Sequence, residues 1–364
     1  MKKMVVLLLC FVFVLGGCSN EATKENGGSV TEAPQKDPDP SDSGEKRQLI
    51  ISTWGLSEDI LHEDVYGPFE EAFNCEVVLE IGSTSERYTK LANDPNSSID
   101  IIELSQSAAA NGYAAGLFEK IDYARIPNAE DLIPAAKELT ESGYGPAYTI
   151  NSIGIIYDPE AVGFEITEFS DLWRSELEGK ISIPDITTTF GPAMLSVASD
   201  YKGVDLASDN GAAAFEALNE LKPNIVKTYA KSSDLANMFA SGEIAAAVVG
   251  DFGVPIIKGA APQVTYVTPE GTYANFNTID INVNSDNKDL AYEYINWRLS
   301  GELQTTTAVT LNEAPTNSTV ELTEEQAANK TYGDVAAAAK ALDYSVINPL
   351  LEEWINQWNL IVNN

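Results

Sequence analysis

YTINSIGIIYD, residues 148–158, contains two short extended runs with no helix between them. Everything before it alternates strand with helix. QLIISTW (48–54) is a continuous apolar strand ending in a Trp-Gly turn, and residues 58–73 read as helix. CEVVLEIG (75–82) is a strand, 84–93 a helix that Ser85 can cap, and SIDIIELS (98–105) a third strand. The small-residue helix SQSAAANGYAAG follows. Strands without internal alternation, each followed by a helix, indicate a parallel sheet covered on both faces. Residues 148–158 therefore read as the chain crossing out of this α/β unit into a second one.

Downstream the same logic resumes. KISIPD (180–185) is a strand, 191–201 and 211–221 are helices, and IVKTYA (225–230) is a strand. Residues 235–240 are helical, EIAAAVVG (243–250) is a buried strand and 264–268 another. ANFNTIDINVNS (274–285) reads as the crossing back, and helix 288–299 rejoins the first unit. The last helix, 346–362, places Leu350, Leu351, Trp354, Ile355, Trp358 and Ile361 at spacings of three and four, which makes one apolar face. Its tryptophans are packing residues, as are Leu290, Tyr294 and Trp297. The expected fold class is α/β in two lobes.

The composition excludes several functions. The 364 residues carry 22 Lys and Arg against 55 Asp and Glu, a net charge of -33. Nucleic acid needs a basic face that releases counterions, and an anionic lipid surface repels such a chain. The one histidine, His62, lies on the first helix and reads as a surface residue; no His-rich zinc site can form, and no metal or other cofactor is expected. GxSxG, the P-loop and GxGxxG are all missing. A carboxylate-pair hydrolase is the remaining enzyme reading, although carboxylate pairs are unavoidable in so acidic a chain.

MKKMVVLLLCFVFVLGGC (1–18) has Lys2 and Lys3 ahead of 11 apolar residues, 4–14. A spanning helix needs about 20 such residues, so this is a signal segment, 1–17. Leu15, Gly16, Gly17 and Cys18 resemble the lipobox of bacterial lipoproteins, which implies acyl chains (palmitate) on Cys18. Loss of Lys2 and Lys3 makes the mature charge -33 - 2 = -35. Residues 18–46, rich in proline and charge, read as a disordered tether. Cys10 leaves with the signal, so Cys75 is the lone body cysteine and a small core residue; packing, not a disulfide, must stabilise the body.

A lipoprotein tether, two α/β units joined by several crossings and a helical C-terminus resemble an ABC-transporter solute-binding protein. IDIIELS (99–105), LFEKID (117–122), FSDLWRSELEGKISIPD (169–185), LANMFASGEIAAAVVGD (235–251) and NEAPTN (312–317) are similar, in order, to the spermidine/putrescine-binding branch. The resemblance implies the periplasmic-binding-protein type II fold, with a ligand cleft between lobe 1 (47–150 and 277–316) and lobe 2 (151–276 and 317–364). It implies closure over a small solute and docking on ABC permease subunits. The protein would be a monomer held at the outer face of the bacterial cytoplasmic membrane by its lipid alone.

Carried over by position, the family's aromatic ending the first strand is Trp54, and its serine-containing ligand loop is Ser105 and Gln106. Its first carboxylate is Asp185, while its second falls on Thr188, a departure. Gly250 stands where polyamine binders have tryptophan, followed by Asp251. The family's Trp and Asp of the returning strand fall near Asn275 and Asn277, and a further aromatic position falls on Glu313.

Carboxylates pair with ammonium groups, and a cation over an aromatic face gains about 0.5–2 kcal/mol. Trp54, Asp185, Asp251 and Glu313 supply such chemistry, with Tyr144, Tyr273 or Phe276 as walls. Amides in place of carboxylates keep hydrogen bonding and lose charge. The expected solute is a small organic cation or amine, with a polyamine as one case. Thr187 to Thr189 before one helix, and Ser105 with Ser107 at another, also suit an anionic or zwitterionic solute such as a phosphonate or amino acid; simple N-capping accounts for the same threonines. Thiamine is a further alternative, and so is a purely sensory lipoprotein. Ferric iron is disfavoured because no Tyr-Tyr pair occurs. The crossings near Asn151, Asn277 and Pro315 are the hinge candidates.

Overall fold

From Ala147 to Tyr157 the chain forms one unbroken strand in which every residue is buried. The two extended runs expected over 148–158 are thus a single crossing strand. The computed structural model describes residues 46–362. Cys18, the signal segment and all but the last residue of the tether lie outside the described residues. Within them, no helix is long and apolar enough to cross a membrane.

The strands are β1 (Arg47–Thr53), β2 (Cys75–Ile81), β3 (Ile101–Ser105), β4 (Ala147–Tyr157), β5 (Ile181–Pro184), β6 (Ile225–Tyr229), β7 (Ala246–Gly250), β8 (Thr265–Val267), β9 (Tyr273–Ile281), β10 (Ala314–Pro315) and β11 (Lys340–Ala341). They run in the order β2-β1-β3-β9-β4-β7-β5-β6, with β8 and β10 on β4 and β11 on β9. β1 pairs in parallel with β2 and β3, and β5 in parallel with β6 and β7. The crossing strands differ from the expected all-parallel pattern. β9 is antiparallel to β3 and β4, and β4 is antiparallel to β7. A strand entering from the other half needs no βαβ crossover, so no helix fixes its direction.

β4 serves both halves. It bonds β9 as far as Ser152, opposite Ala274, and β7 from Ile153, opposite Gly250. Each half packs apolar side chains against both sheet faces, as strands covered on both sides require. Ile101 and Ile279 join the core with Leu49, Phe69 and Tyr294, while Ile102 and Leu104 face Leu91 and Phe118. Likewise Val248 and Ile155 meet Leu195, Phe215, Trp354 and Trp358, while Val249 and Ile156 meet Leu235 and Phe239. The helix Lys288–Arg298 packs in the first core and the helix Tyr344–Val362 in the second. Cys75 is buried and free, and His62 is exposed.

Local chemistry sets the helix starts. Ser83, not Ser85, caps the helix Thr84–Asn93. Its hydroxyl accepts from the Glu86 amide at 3.3 Å, and the Glu86 carboxylate accepts from the Ser83 amide at 2.9 Å. This reciprocal box needs Glu at the third helical position, which only the Ser83 register provides.

Candidate solute site at the carboxyl ends of the strands

Parallel strands gather their carboxyl ends at one edge of each half. In the first half that edge carries Trp54 after β1 and Ser105 ending β3; in the second it carries Asp185 after β5 and Asp251 after β7. The strand register brings these edges together. Ser105 lies opposite Asn277, Asn277 opposite Thr149, and Gly250 opposite Ile153. Thr149 and Ile153 are four residues apart on β4, about 14 Å at the usual rise per residue. Open α/β sheets hold ligands outside such carboxyl ends, where the strand order reverses.

On the first side, Trp54 is half-buried. Its indole N–H donates to the Thr84 hydroxyl at 3.1 Å, and the Arg87 guanidinium lies 4.6 Å from the ring centroid. Arg87 is itself buried, donating through Nη1 to the carbonyls of Ser52 (2.9 Å) and Glu103 (2.6 Å). Burial pulls its pKa down to about 10, opposed by the Glu103 charge. The Glu103 carboxylate accepts from Thr53 at 2.6 Å, Tyr294 at 3.1 Å and Tyr148 at 3.4 Å. Arg298, stacked 4.3 Å from the centroid of Tyr148, then binds Glu313 at 2.9 and 3.3 Å. Glu313 is therefore compensated internally rather than free for a solute.

A polar rung follows. Ser105 starts the helix Gln106–Ala114 without capping it, and Gln106 is half-buried. Asn275 Nδ2 donates to Asn277 Oδ1 at 3.0 Å, while Asn275 Oδ1 accepts from the Tyr344 hydroxyl at 3.4 Å. Ser107 donates to Asn348 Oδ1 at 2.8 Å, and Asn348 Nδ2 donates to Asn111 at 2.9 Å.

On the second side, Asp185 is half-buried. Its Oδ1 accepts from the Thr187 amide (3.0 Å) and hydroxyl (2.6 Å), while its carbonyl accepts from the Thr188 hydroxyl at 2.7 Å. Thr188 is thereby spent on the turn. Asp185 has no cationic partner among the described residues. Phe190 and Phe252 stack with centroids 6.1 Å apart. They cover Gly250, where an added Cβ would lie 2.5 Å from Phe252 and 2.6 Å from Phe190. Asp251 turns inward: Oδ2 accepts from the Thr331 amide (2.9 Å) and hydroxyl (2.6 Å), and the same hydroxyl reaches Ser152. Burial pushes its pKa up to about 6 against the Thr331 hydrogen bonds.

The carboxyl ends of the strands thus carry Trp54, Ser105 and Gln106 in the first half and Asp185 and Thr188 in the second, with Asn275 and Asn277 on β9 beside β4. Asp251 and Glu313 instead hold the crossings. Of the expected walls, Tyr144 stacks on Tyr113 at 4.1 Å beneath Lys120, because its loop packs at the amino end of β3. Phe276 lies in the first core, and Tyr273 donates to Asp200 at 2.9 Å. Sequence reasoning missed Arg87, Phe190 and Phe252. An arginine one helical turn before Leu91, and the F-G and D-F-G strings beside the strand ends, were the available signals.

The family profile described as bacterial extracellular solute-binding protein matches residues 65–334. A crystal structure of an ABC transporter from Clostridium perfringens is 56% identical, with TM-score 0.78, covering 86% of this chain and 100% of that one. The spermidine/putrescine-binding periplasmic protein 1 of Haemophilus influenzae is 26% identical over 230 residues, 61% of this chain and 63% of its own length, so the match spans less than two thirds of that relative. The putrescine-binding periplasmic protein of Escherichia coli is 24% identical over 280 residues, 71% of this chain and 74% of its own.

Proposed function

Because the chain belongs to the family of bacterial extracellular solute-binding proteins, we propose that it is the receptor of an ABC importer, binding a small amine-bearing solute between its two halves. Members of this family are binding proteins rather than enzymes. Lobe 1 (47–150 and 277–316) and lobe 2 (151–276 and 317–364) close over the solute, and the closed form delivers it to the permease. The chain works as a monomer on a Cys18 lipid anchor at the outer face of the cytoplasmic membrane.

The observation that carries this reading is Asp185. It is a half-buried carboxylate without a cationic partner among the described residues, at the carboxyl end of β5 in the second half. An ammonium group meeting its free oxygen gains a charge-assisted bond. Phe190 and Phe252 supply aromatic surface for a methylene chain, in place of a tryptophan at Gly250. Trp54, Ser105, Gln106, Asn275 and Asn277 line the opposite side. Thr188, Asp251 and Glu313 position the walls.

Binding favours the closed state by its difference in affinity for the two states. A thermal-shift screen of the full-length protein with diamines, polyamines, choline-like cations, thiamine, aminophosphonates and amino acids tests the reading. A ligand at 100 times its Kd adds about 2.7 kcal/mol of stability. An amine-bearing hit that weakens on Asp185→Asn and Trp54→Ala, and that lowers the radius of gyration in solution scattering, is the expected result. A hit indifferent to both substitutions, or an unchanged radius, overturns it.

A further inference from the structure

The two edges differ in hydrogen-bonding sense, and this difference specifies the solute further. Ser105 is 4% exposed, yet its hydroxyl neither caps the helix Gln106–Ala114 nor bonds another described residue. The first helical amides therefore lack a side-chain acceptor, and a helix start carries a partial positive charge. Directly opposite, Asn277 has its Oδ1 taken by Asn275, which leaves its Nδ2 protons unspent. Asn275 Oδ1 already receives the Tyr344 hydroxyl at 3.4 Å. Asn151, opposite Asn275 and 4% exposed, has no side-chain partner among the described residues.

The fixed charges nearby largely offset one another, so the sense of this rung is set by its hydrogen-bonding groups. Arg87 bonds the Glu103 carbonyl two residues before Ser105. The Glu103 carboxylate is occupied by Thr53, Tyr148 and Tyr294, and Asp280 takes the Thr278 hydroxyl at 2.7 Å. The rung thus offers mainly N–H and O–H groups, behind which Arg87 and Glu103 stand as opposite charges. In the second half, Asp185 offers a carboxylate oxygen.

Resting on the amine reading above, we infer that the solute is a zwitterion. Its ammonium lies at Asp185, and its carboxylate is received by Ser105, Asn277 and the first turn of the helix Gln106–Ala114. A linear diamine would bring a second cation to the amide N–H donors of Asn277 and the helix start, which it cannot satisfy. Buried donors left unpaired are penalised more heavily than paired ones are rewarded.

Calorimetric titration of the full-length protein with 4-aminobutanoate, 5-aminopentanoate and 6-aminohexanoate, each against the diamine and the plain carboxylate of matching length, tests the inference. At one length the amino acid should bind at least tenfold more tightly than its diamine. Ser105→Ala should lower amino-acid affinity about tenfold and diamine affinity by a clearly smaller factor. Asn277→Asp, of nearly unchanged shape, should reverse the preference. A diamine binding as tightly as the amino acid, with no response to Asn277→Asp, overturns the carboxylate and leaves the amine reading standing. Binding of the plain carboxylate as tight as that of the amino acid overturns the amine reading and keeps the carboxylate. Binding of none of the probes overturns the zwitterion as a class.

Discussion

The two halves share one α/β plan and treat charge in opposite ways. The first buries Arg87, Arg298, Asp100, Glu103 and Asp280 in or beside its sheet. The second buries no charged side chain in its described strands or central helices, and buries Asp251 at its rim with Lys330 close by. One half is therefore held by partners that must be present together, the other by shape. A buried pair is costly to break singly, because the partner left behind stays desolvated. A large apolar side chain costs its transfer energy plus the cavity it leaves.

Two substitutions separate these modes. Trp354 is 1% exposed, packs edge-on to Phe215 and donates to the Asn210 carbonyl at 2.9 Å. Trp354→Ala should cost about 3–5 kcal/mol in urea denaturation, with no partner substitution able to restore it. Arg298→Met should cost about 3 kcal/mol, near the lower bound for breaking a buried pair because Glu313 keeps some exposure. Adding Glu313→Gln to Arg298→Met should recover part of that loss. Additive losses in the double variant would remove the distinction between the halves.

The next effect is a pH slope. Burial raises the Asp280 carboxyl from 3.8 to about 7, against the Thr278 hydrogen bond. The folded chain thus holds a proton that the unfolded chain releases near pH 4. The stability from this group is complete below that value and is lost as pH climbs through about 7, at up to roughly 1.4 kcal/mol per pH unit. Asp251 acts in the same direction up to about pH 6. Asp280→Asn should therefore gain on the parent protein between pH 5 and pH 8, measured by denaturation at each pH. A constant difference would show that Asp280 ionises freely in the fold. The smallest effect is local: Ser83→Ala should cost about 1 kcal/mol through the lost cap. The helix Gly191–Tyr201 of the second half starts without any side-chain cap.

Period and punctuation in the sequence carry the element order, because the strands hold short apolar runs such as LII, VVL and AAVV between turn residues. They do not carry the direction of β4 and β9. Direction depends on which strands from distant segments meet, and neither YTINSIGIIYD nor ANFNTIDINVNS records that. The site was legible where position alone decides. Trp54, Ser105 and Asp185 end strands, and strand ends converge by topology. It was illegible where partners decide. Glu313 looks like a spare carboxylate until Arg298 is found against it, and Asp251 looks open until Thr331 covers it. Gly250 marks a missing side chain in the sequence; in space it marks room for Phe190 and Phe252.

The shared strand β4 has a consequence of parity. Five of its first six residues bond β9, skipping Tyr148 at a register irregularity, and its last five bond β7, so the facing of one half relative to the other is set by counting along a single segment. Successive side chains point to opposite faces. One residue inserted between Ser152 and Ile153 would leave every strand pair available in principle, yet turn the far half inside out against its own helices. Two inserted residues would keep the facing and lengthen the span by about 7 Å. The distance between Ser105 and Asp185, and hence the length of solute that bridges them, is to that extent written in even steps.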